Sequence, residues 1–140
     1  MEDDRKMVVL VVDDEDDFRL FFARRFSRRG MKVLEASGGV MALETLRENP
    51  VDVVLLDLKM PGMDGMETLI EVKRQFPTVE VILLTGHGST DSGVQSLKYG
   101  AYDYTMKPYD IDELEKKIRS AFERRSLHLE RLRGEACNGS

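Results

Sequence analysis

The sequence has little of what marks a secreted or membrane protein. Its 140 residues contain one cysteine, Cys137, so no internal disulfide can form. The longest apolar run, residues 7–12, is far too short to span a bilayer. The acidic start, residues 1–6, lacks the basic and apolar segments of a secretory signal. These absences favour a reducing, cytoplasmic setting and no membrane association.

Positive charge is also in the minority, with 21 Lys and Arg against 26 Asp and Glu and a net charge of -5. That balance disfavours direct nucleic-acid binding by the chain itself. The length is that of one domain, and no internal repeat or low-complexity segment interrupts it. We expect a flexible N-terminus over 1–6, one folded domain over 7–122, and a C-terminal helix extension and tail over 123–140.

Five short apolar runs set the fold class. Three of them are nearly continuous in Val, Ile and Leu, which is typical of strands buried on both faces of a parallel sheet. Between the runs, apolar residues recur at helical spacing and predict five helices. Alternating strands and helices predict an α/β domain with a parallel sheet and helices on both faces. The runs are 7–12, 31–36, 51–57, 79–85 and 101–106.

Charged and hydroxyl side chains stand where the predicted strands end. Taken singly, each is explained as a helix cap, a turn residue or a solvated charge. Because the carboxyl ends of parallel strands share one edge, we expect these groups to line a common cleft. Three clustered carboxylates repel one another, and a divalent cation such as Mg²⁺ removes that cost. The residues are Asp13, Asp14, Asp57, Thr85 and Lys107.

The segments around these residues resemble the receiver domain of two-component response regulators, over residues 7 to about 122. They are VVDDE (11–15), LLDLKMPGMDG (55–65), LLTGHGS (83–89) and YDYTMKP (102–108), in that order. The resemblance implies a flavodoxin-like, doubly wound sheet of five parallel strands in the order 2-1-3-4-5, flanked by five helices. It also places Pro61, Gly62, Asp64 and Gly65 in the turn after the third strand, where glycine can supply a positive φ.

The resemblance implies a site as well. Asp57 matches the phosphoacceptor, a carboxylate nucleophile that forms an aspartyl phosphate. Asp14, Asp57 and the backbone carbonyl of Lys59 match direct Mg²⁺ ligands, and Asp13 matches an acid that acts through a metal-bound water. We also hypothesise that Lys59 and His87, each two residues past a site residue, flank the approach of water and lengthen the phosphoryl lifetime.

Three further matches imply a conformational response. Thr85 matches the hydroxyl that turns toward the phosphoryl group, Lys107 the ammonium that pairs with it, and Tyr104 the aromatic ring that changes rotamer. The Lys107–Pro108 bond is usually cis in this family. The expected function is a phosphorylation-activated signalling switch in a phosphorelay, with a sensor histidine kinase or phosphotransfer protein as donor. Such a domain assists its own phosphorylation and dephosphorylation without being a conventional enzyme.

Particular residues disfavour two other functions. A small Mg²⁺-dependent phosphotransferase or phosphatase with an aspartyl-phosphate intermediate usually carries a second acid two residues past the nucleophile, where Lys59 stands. A flavin-binding protein of similar strand order needs a Ser/Thr/Gly-rich phosphate loop after the first strand, where DDEDD (13–17) repels phosphate. Both features favour the switch.

The end of the chain leaves alternatives open. The segment ERRSLHLERLR (123–133) continues the last helical pattern and is either a frayed, charged extension or a linker helix and dimer seam. A homodimer through the fourth helix, fifth strand and fifth helix is a further alternative. We expect a domain that either stands alone or belongs to a larger regulator.

Overall fold

The computed structural model describes residues 6–58, 65–86 and 90–138. Its strands and helices alternate strictly along the chain, as predicted. The strands are β1 (Val8–Val12), β2 (Lys32–Ala36), β3 (Val53–Asp57), β4 (Glu80–Thr85) and β5 (Asp103–Met106). The helices are α1 (Asp16–Ser27), α2 (Gly39–Glu48), α3 (Gly65–Gln75), α4 (Thr90–Lys98) and α5 (Ile111–Asn138).

The five strands form one parallel sheet in the order β2-β1-β3-β4-β5. This order confirms the predicted doubly wound fold. Strands β1 and β4 are buried along their whole length, and β3 is buried up to its last residue, Asp57. The continuous Val, Ile and Leu runs therefore belong to the three central strands, which helices cover on both faces.

Two apolar clusters sit on opposite faces of the sheet, because successive side chains of a strand point to opposite sides. In β1, for example, Leu10 joins a cluster with α2 and α3. Its neighbours Val9 and Val11 join the other cluster, which contains Phe22 and Phe26 of α1 and Leu114 and Ile118 of α5.

The fifth strand is shorter than predicted, because the first residues of the 101–106 run complete the end of α4. The N–H of Gly100 donates to the carbonyl of Leu97, and that of Ala101 donates to the carbonyl of Ser96. Gly100 has a φ of 100°, a conformation that glycine adopts without strain and that commonly closes a helix. Strand β5 then begins at Asp103.

Helix α5 crosses the predicted boundary at residues 122–123 without a break and extends over 28 residues. Past that boundary it is still attached to the sheet. Nη1 of Arg125 lies 3.0 Å from Oδ1 of Asp52, which is fully buried and also accepts the N–H of Val8 at 2.9 Å. Within the described ranges, α5 included, no helix is both long and apolar enough to cross a membrane.

Candidate functional site

Three carboxylates meet at the carboxyl edge of the sheet. Asp57 ends β3, and Asp13 directly follows β1, the neighbouring strand in which Val12 is paired with Leu56. One carboxylate oxygen from each of Asp13, Asp14 and Asp57 lies within 4.8 Å of the other two. The predicted acidic cluster is therefore present in the fold, and strand register brings its members together.

The members of the cluster differ in exposure and in local support. Asp14 is exposed, Asp57 is partly buried, and Asp13 is buried with 6% of its surface accessible. Asp13 accepts the N–H of Glu15 at 2.9 Å. Burial is the main cause that raises the pKa of Asp13, and the neighbouring negative charge of Asp14 adds to it, whereas the Glu15 hydrogen bond opposes the shift. Bringing three acids together is thus electrostatically unfavourable without a counter-charge.

This donor set fits Mg²⁺. The ion prefers carboxylate oxygens and water, and three converging carboxylates leave coordination positions for solvent and a phosphoryl oxygen. Asp13, Asp14 and Asp57 would hold it, and its charge would offset their mutual repulsion. Lys59, whose carbonyl was predicted as a further ligand, lies outside the described residues, as does His87.

A glycine holds the first turn of α3 against the end of β3. The N–H of Gly65 donates to the carbonyl of Leu58 at 3.0 Å. A Cβ atom at Gly65 would lie 2.5 Å from the Cα of Leu58 and 2.6 Å from the carbonyl oxygen of Asp57. Gly65 is not among the positive-φ glycines of the described residues, so a positive φ is not what this position requires. Pro61, Gly62 and Asp64, the other residues expected in this turn, lie outside the described residues. Close approach of two backbone segments beside Asp57 is what requires glycine here.

Thr85 is the last residue of β4, and Lys107 directly follows β5. Leu84 is the register partner of Asp57, so Thr85 lies one residue beyond that pair. Its buried hydroxyl donates to the carbonyl of Thr105 at 3.4 Å. The ammonium of Lys107 lies 4.8 Å from the centre of the Phe18 ring, a cation–π contact at the start of α1. The predicted cis bond between Lys107 and Pro108 is confirmed.

Tyr109 is a residue of this edge that the sequence reasoning missed. Its hydroxyl donates to the backbone carbonyl of Thr85 at 3.4 Å, and its ring packs near Phe22. Burial raises the pKa of Tyr109 to about 12, with further contributions from the negative charges of Asp57 and Asp13. Its position directly after Lys107–Pro108 was the available signal, because the chain there is still at the carboxyl edge.

Tyr104 lies away from the carboxylates, on the side of β5 that faces α4. A Cβ atom at Gly93 would lie 2.5 Å from Cδ2 of Tyr104 and 2.8 Å from both Cγ and Cε2. The aromatic ring therefore occupies the space that any other residue at position 93 would need. This contact gives a packing reason for a glycine inside a helix, where it would otherwise only reduce stability.

Comparison with known proteins agrees with this geometry. The family described as response regulator receiver domain matches residues 9–119. Regulatory protein AtoC of Escherichia coli (strain K12) is 36% identical over 122 residues, which cover 87% of this chain and 26% of that protein. The DNA-binding transcriptional regulator NtrC of the same strain is 39% identical over 106 residues, covering 76% of this chain and 23% of NtrC. The chain thus spans about a quarter of the length of these relatives.

A solved structure matches over nearly its full length. The crystal structure of a response regulator receiver domain protein from Clostridium thermocellum has a TM-score of 0.83 and 36% sequence identity. The match covers 86% of this chain and 98% of that one.

The fold and the acidic edge define a flavodoxin-like α/β domain with a site suited to a divalent cation. Within that class, the chain belongs to the response regulator receiver domain family, and it is a receiver domain of a two-component response regulator. It is therefore a signalling switch and not a classical enzyme, and the phosphatase and flavin-binding alternatives are set aside. Receiver domains take phosphoryl groups from histidine kinases and use Mg²⁺ at an acidic pocket.

Proposed function

We propose that Asp57 accepts a phosphoryl group from the phosphohistidine of a sensor histidine kinase or a phosphotransfer protein. A carboxylate oxygen of Asp57 attacks phosphorus, the phosphorus–nitrogen bond breaks, and the imidazole leaves with the electron pair. The product is an aspartyl phosphate and a histidine that recovers a proton from solvent. The observation that carries this assignment is the position of Asp57, at the end of a buried strand and within the three-carboxylate cluster.

Mg²⁺ held by Asp13, Asp14 and Asp57 belongs to this proposal, together with the predicted carbonyl ligand of Lys59. When bound, the ion would offset the negative charge that the phosphoryl group brings to the cluster. The role of Asp13 is supported by its fixed position: its carboxylate is buried and bonded to a backbone N–H. A buried acid of this kind suits contact with Mg²⁺ through a bound water, as expected for Asp13. The exposed Asp14 suits direct contact with the ion.

The response to phosphorylation is assigned to Thr85, Lys107 and Tyr104. Thr85 has a hydroxyl with a long, 3.4 Å hydrogen bond that a nearby phosphoryl oxygen would outcompete. Among the described residues, the ammonium of Lys107 makes a weak cation–π contact with Phe18, which it would give up on pairing with the phosphoryl group. Tyr104 contacts α4 through Gly93, so a change of its rotamer would alter the packing of that helix.

Phosphoryl lifetime remains a separate hypothesis. Hydrolysis requires a water in line with the bond between Asp57 and phosphorus, and we propose that Lys59 and His87 obstruct it. Replacing Lys59 with Asn, a short amide able to position water, is expected to speed dephosphorylation. The decay of phosphorylated protein on Phos-tag gels measures this rate, and unchanged or slower decay would remove Lys59 from the role.

We further propose that the domain controls transcription from the cytoplasm, since its relatives include regulatory proteins such as AtoC and NtrC. The net charge of -5 disfavours direct nucleic-acid binding by this chain, so we propose that any contact with DNA is made by another part of a larger regulator. Dimerisation through α4, β5 and α5 is part of the proposal, supported by exposed apolar side chains on this face. They include Val94 at 46%, Leu97 at 42% and Met106 at 41% accessibility.

Intact mass tests the phosphoacceptor. The full chain is incubated with acetyl phosphate and Mg²⁺, and we expect a gain of one phosphoryl group. Asp57→Asn should remove the gain, because the amide is not a nucleophile, and excess EDTA should suppress it. A control variant, Asp110→Asn, changes an exposed carboxylate on the loop before α5 and should still accept one group. Equal phosphorylation of wild type and Asp57→Asn would overturn the assignment.

A further inference from the structure

Strand β5 presents two different sets of contacts on its two faces. Tyr104 packs toward Gly93 of α4. Because side chains alternate along a strand, Asp103 and Thr105 lie on the other face, toward α5. Both are contacted there by one side chain, Lys117, whose ammonium lies 3.5 Å from the carboxylate of Asp103 and 3.0 Å from the hydroxyl oxygen of Thr105.

Lys117 is also bonded to the backbone of β5. Its ammonium donates to the carbonyl oxygen of Tyr104 at 2.8 Å, the shortest of its contacts. The side chain is 22% exposed, so these hydrogen bonds are partly shielded from water. With the 3.8 Å pair to Glu113 one turn earlier in α5, the three donor hydrogens of the ammonium all have acceptors within reach. Lys117 thus fixes α5 to the strand that carries the switch tyrosine.

Thr105 connects this lysine to Thr85. The carbonyl of Thr105 accepts the hydroxyl of Thr85, and the side-chain oxygen of the same residue accepts the ammonium of Lys117. Thr105 is 9% exposed, so an acceptor that loses its donor there is not readily compensated by water. A movement of the Thr85 hydroxyl therefore changes the balance of hydrogen bonds at the residue that Lys117 holds.

We propose that Thr105 and Lys117 form a second route by which Thr85 controls the domain, one that leads to α5 in parallel with the route through Tyr104 to α4. The inference rests on the proposed role of Thr85 as the phosphoryl-responsive hydroxyl. When that hydroxyl turns away, the peptide of Thr105 readjusts and carries the Lys117 contacts with it. Because α5 is continuous to Asn138, a shift at Lys117 reaches the C-terminal extension. Lys117 acts here as a positioning residue.

The test compares Lys117→Met with Lys116→Met in the full chain. Methionine keeps an unbranched apolar side chain and removes the donors, and Lys116 is the exposed neighbour on the same helix. Backbone amide NMR shifts are measured with Mg²⁺ before and after addition of beryllofluoride, a stable phosphoryl analogue. In wild type and Lys116→Met, shifts are expected in both α4 and residues 123–134 of α5. In Lys117→Met, the α5 shifts should fall at least twofold while those of α4 persist.

A second pair of variants keeps the test decisive if Lys117→Met does not fold. Thr105→Ser retains the hydroxyl and should transmit to α5, whereas Thr105→Val keeps the shape and should not. Equal α5 shifts in Lys117→Met and Lys116→Met, or in Thr105→Val and Thr105→Ser, would overturn the second route. A separate outcome would refute the proposed function: if beryllofluoride shifts no amide resonance in the wild-type protein, the proposed phosphoryl site is wrong. The second route, which depends on that site, would then be wrong as well.

Discussion

Replacing Gly93 with alanine is expected to have opposite effects in the presence and absence of the Tyr104 ring. In an exposed helix interior, alanine is favoured over glycine by about 1 kcal/mol. Here the new methyl group would lie 2.5 Å from a ring carbon of Tyr104. Ordinary carbon–carbon contacts are about 3.5–4.0 Å, so the ring must move by about 1 Å.

The size of the stability change follows from the helix-propensity gain and the cost of the contact with the Tyr104 ring. Forcing a methyl group into a packed contact costs about 1–3 kcal/mol, and the helix propensity gain of about 1 kcal/mol offsets part of it. We therefore expect Gly93→Ala to lower the free energy of unfolding by about 1 kcal/mol in the wild-type background. In a Tyr104→Ala background only the difference in helix propensity remains. Gly93→Ala should then raise the free energy of unfolding by up to about 1 kcal/mol. The coupling between the two sites is then about 2 kcal/mol.

Urea unfolding followed by far-UV circular dichroism measures all four proteins, and the method suits a chain without tryptophan. Gly134→Ala is the matched control, since a Cβ atom at this α5 position meets nothing within 4 Å. Its effect should not depend on Tyr104. If Gly93→Ala changes stability by the same amount with and without the Tyr104 ring, then the ring does not occupy the space beside Gly93 and the packing argument is refuted.

Three further perturbations test other parts of the structure. In thermal melts, Mg²⁺ should raise the melting temperature of the wild-type protein, because the ion binds only the folded acidic cluster. Asp14→Asn should remove most of that increase. A wild-type melting temperature that does not depend on Mg²⁺ would show that the cluster does not bind the ion. Arg125→Met should lower the free energy of urea unfolding by about 2 kcal/mol, because it removes a charged hydrogen-bond donor from the buried carboxylate of Asp52. Arg124→Met should cost less than about 1 kcal/mol, because this arginine is 65% exposed and its partner Glu80 is also contacted by Lys73. Equal losses would contradict the difference in burial. Gly65→Ala should weaken Mg²⁺ binding measured by calorimetry, because the alanine methyl group displaces the backbone at the end of β3. Unaltered Mg²⁺ affinity in a folded variant would show that the close approach of Gly65 to β3 does not position the site.

The fold was predictable because its signals are local and repeated. The Val, Ile and Leu runs mark the three central strands, and strict alternation with helices leaves a parallel sheet as the expected arrangement. The strand order and the cis bond before Pro108 came from the family resemblance, and both are confirmed. The boundary of β5 was missed because capping of α4 through Gly100 uses residues that continue the same alternating pattern.

The acidic cluster was predictable for a related reason, since the ends of parallel strands must share an edge. Contacts between distant residues carry no comparable signal. Arg125 and Asp52 are 73 positions apart, and nothing in the charged pattern of α5 distinguishes this arginine from its neighbours. The sequence pattern shows Gly93 only as a residue that destabilises its helix, because the Tyr104 ring that requires glycine there belongs to another element. The roles of Lys59 and His87 stay predictions, since both residues lie outside the described part of the chain.

The most direct test of the central claim locates the phosphoryl group itself. Protein treated with acetyl phosphate and Mg²⁺ is reduced with borohydride, which converts an aspartyl phosphate to homoserine, and the peptides are then sequenced by mass spectrometry. We expect homoserine at position 57 and unmodified aspartate at positions 13 and 14. Homoserine at Asp13 or Asp14 with intact Asp57 would contradict the account, because the acceptor would then be one of the residues assigned to the metal.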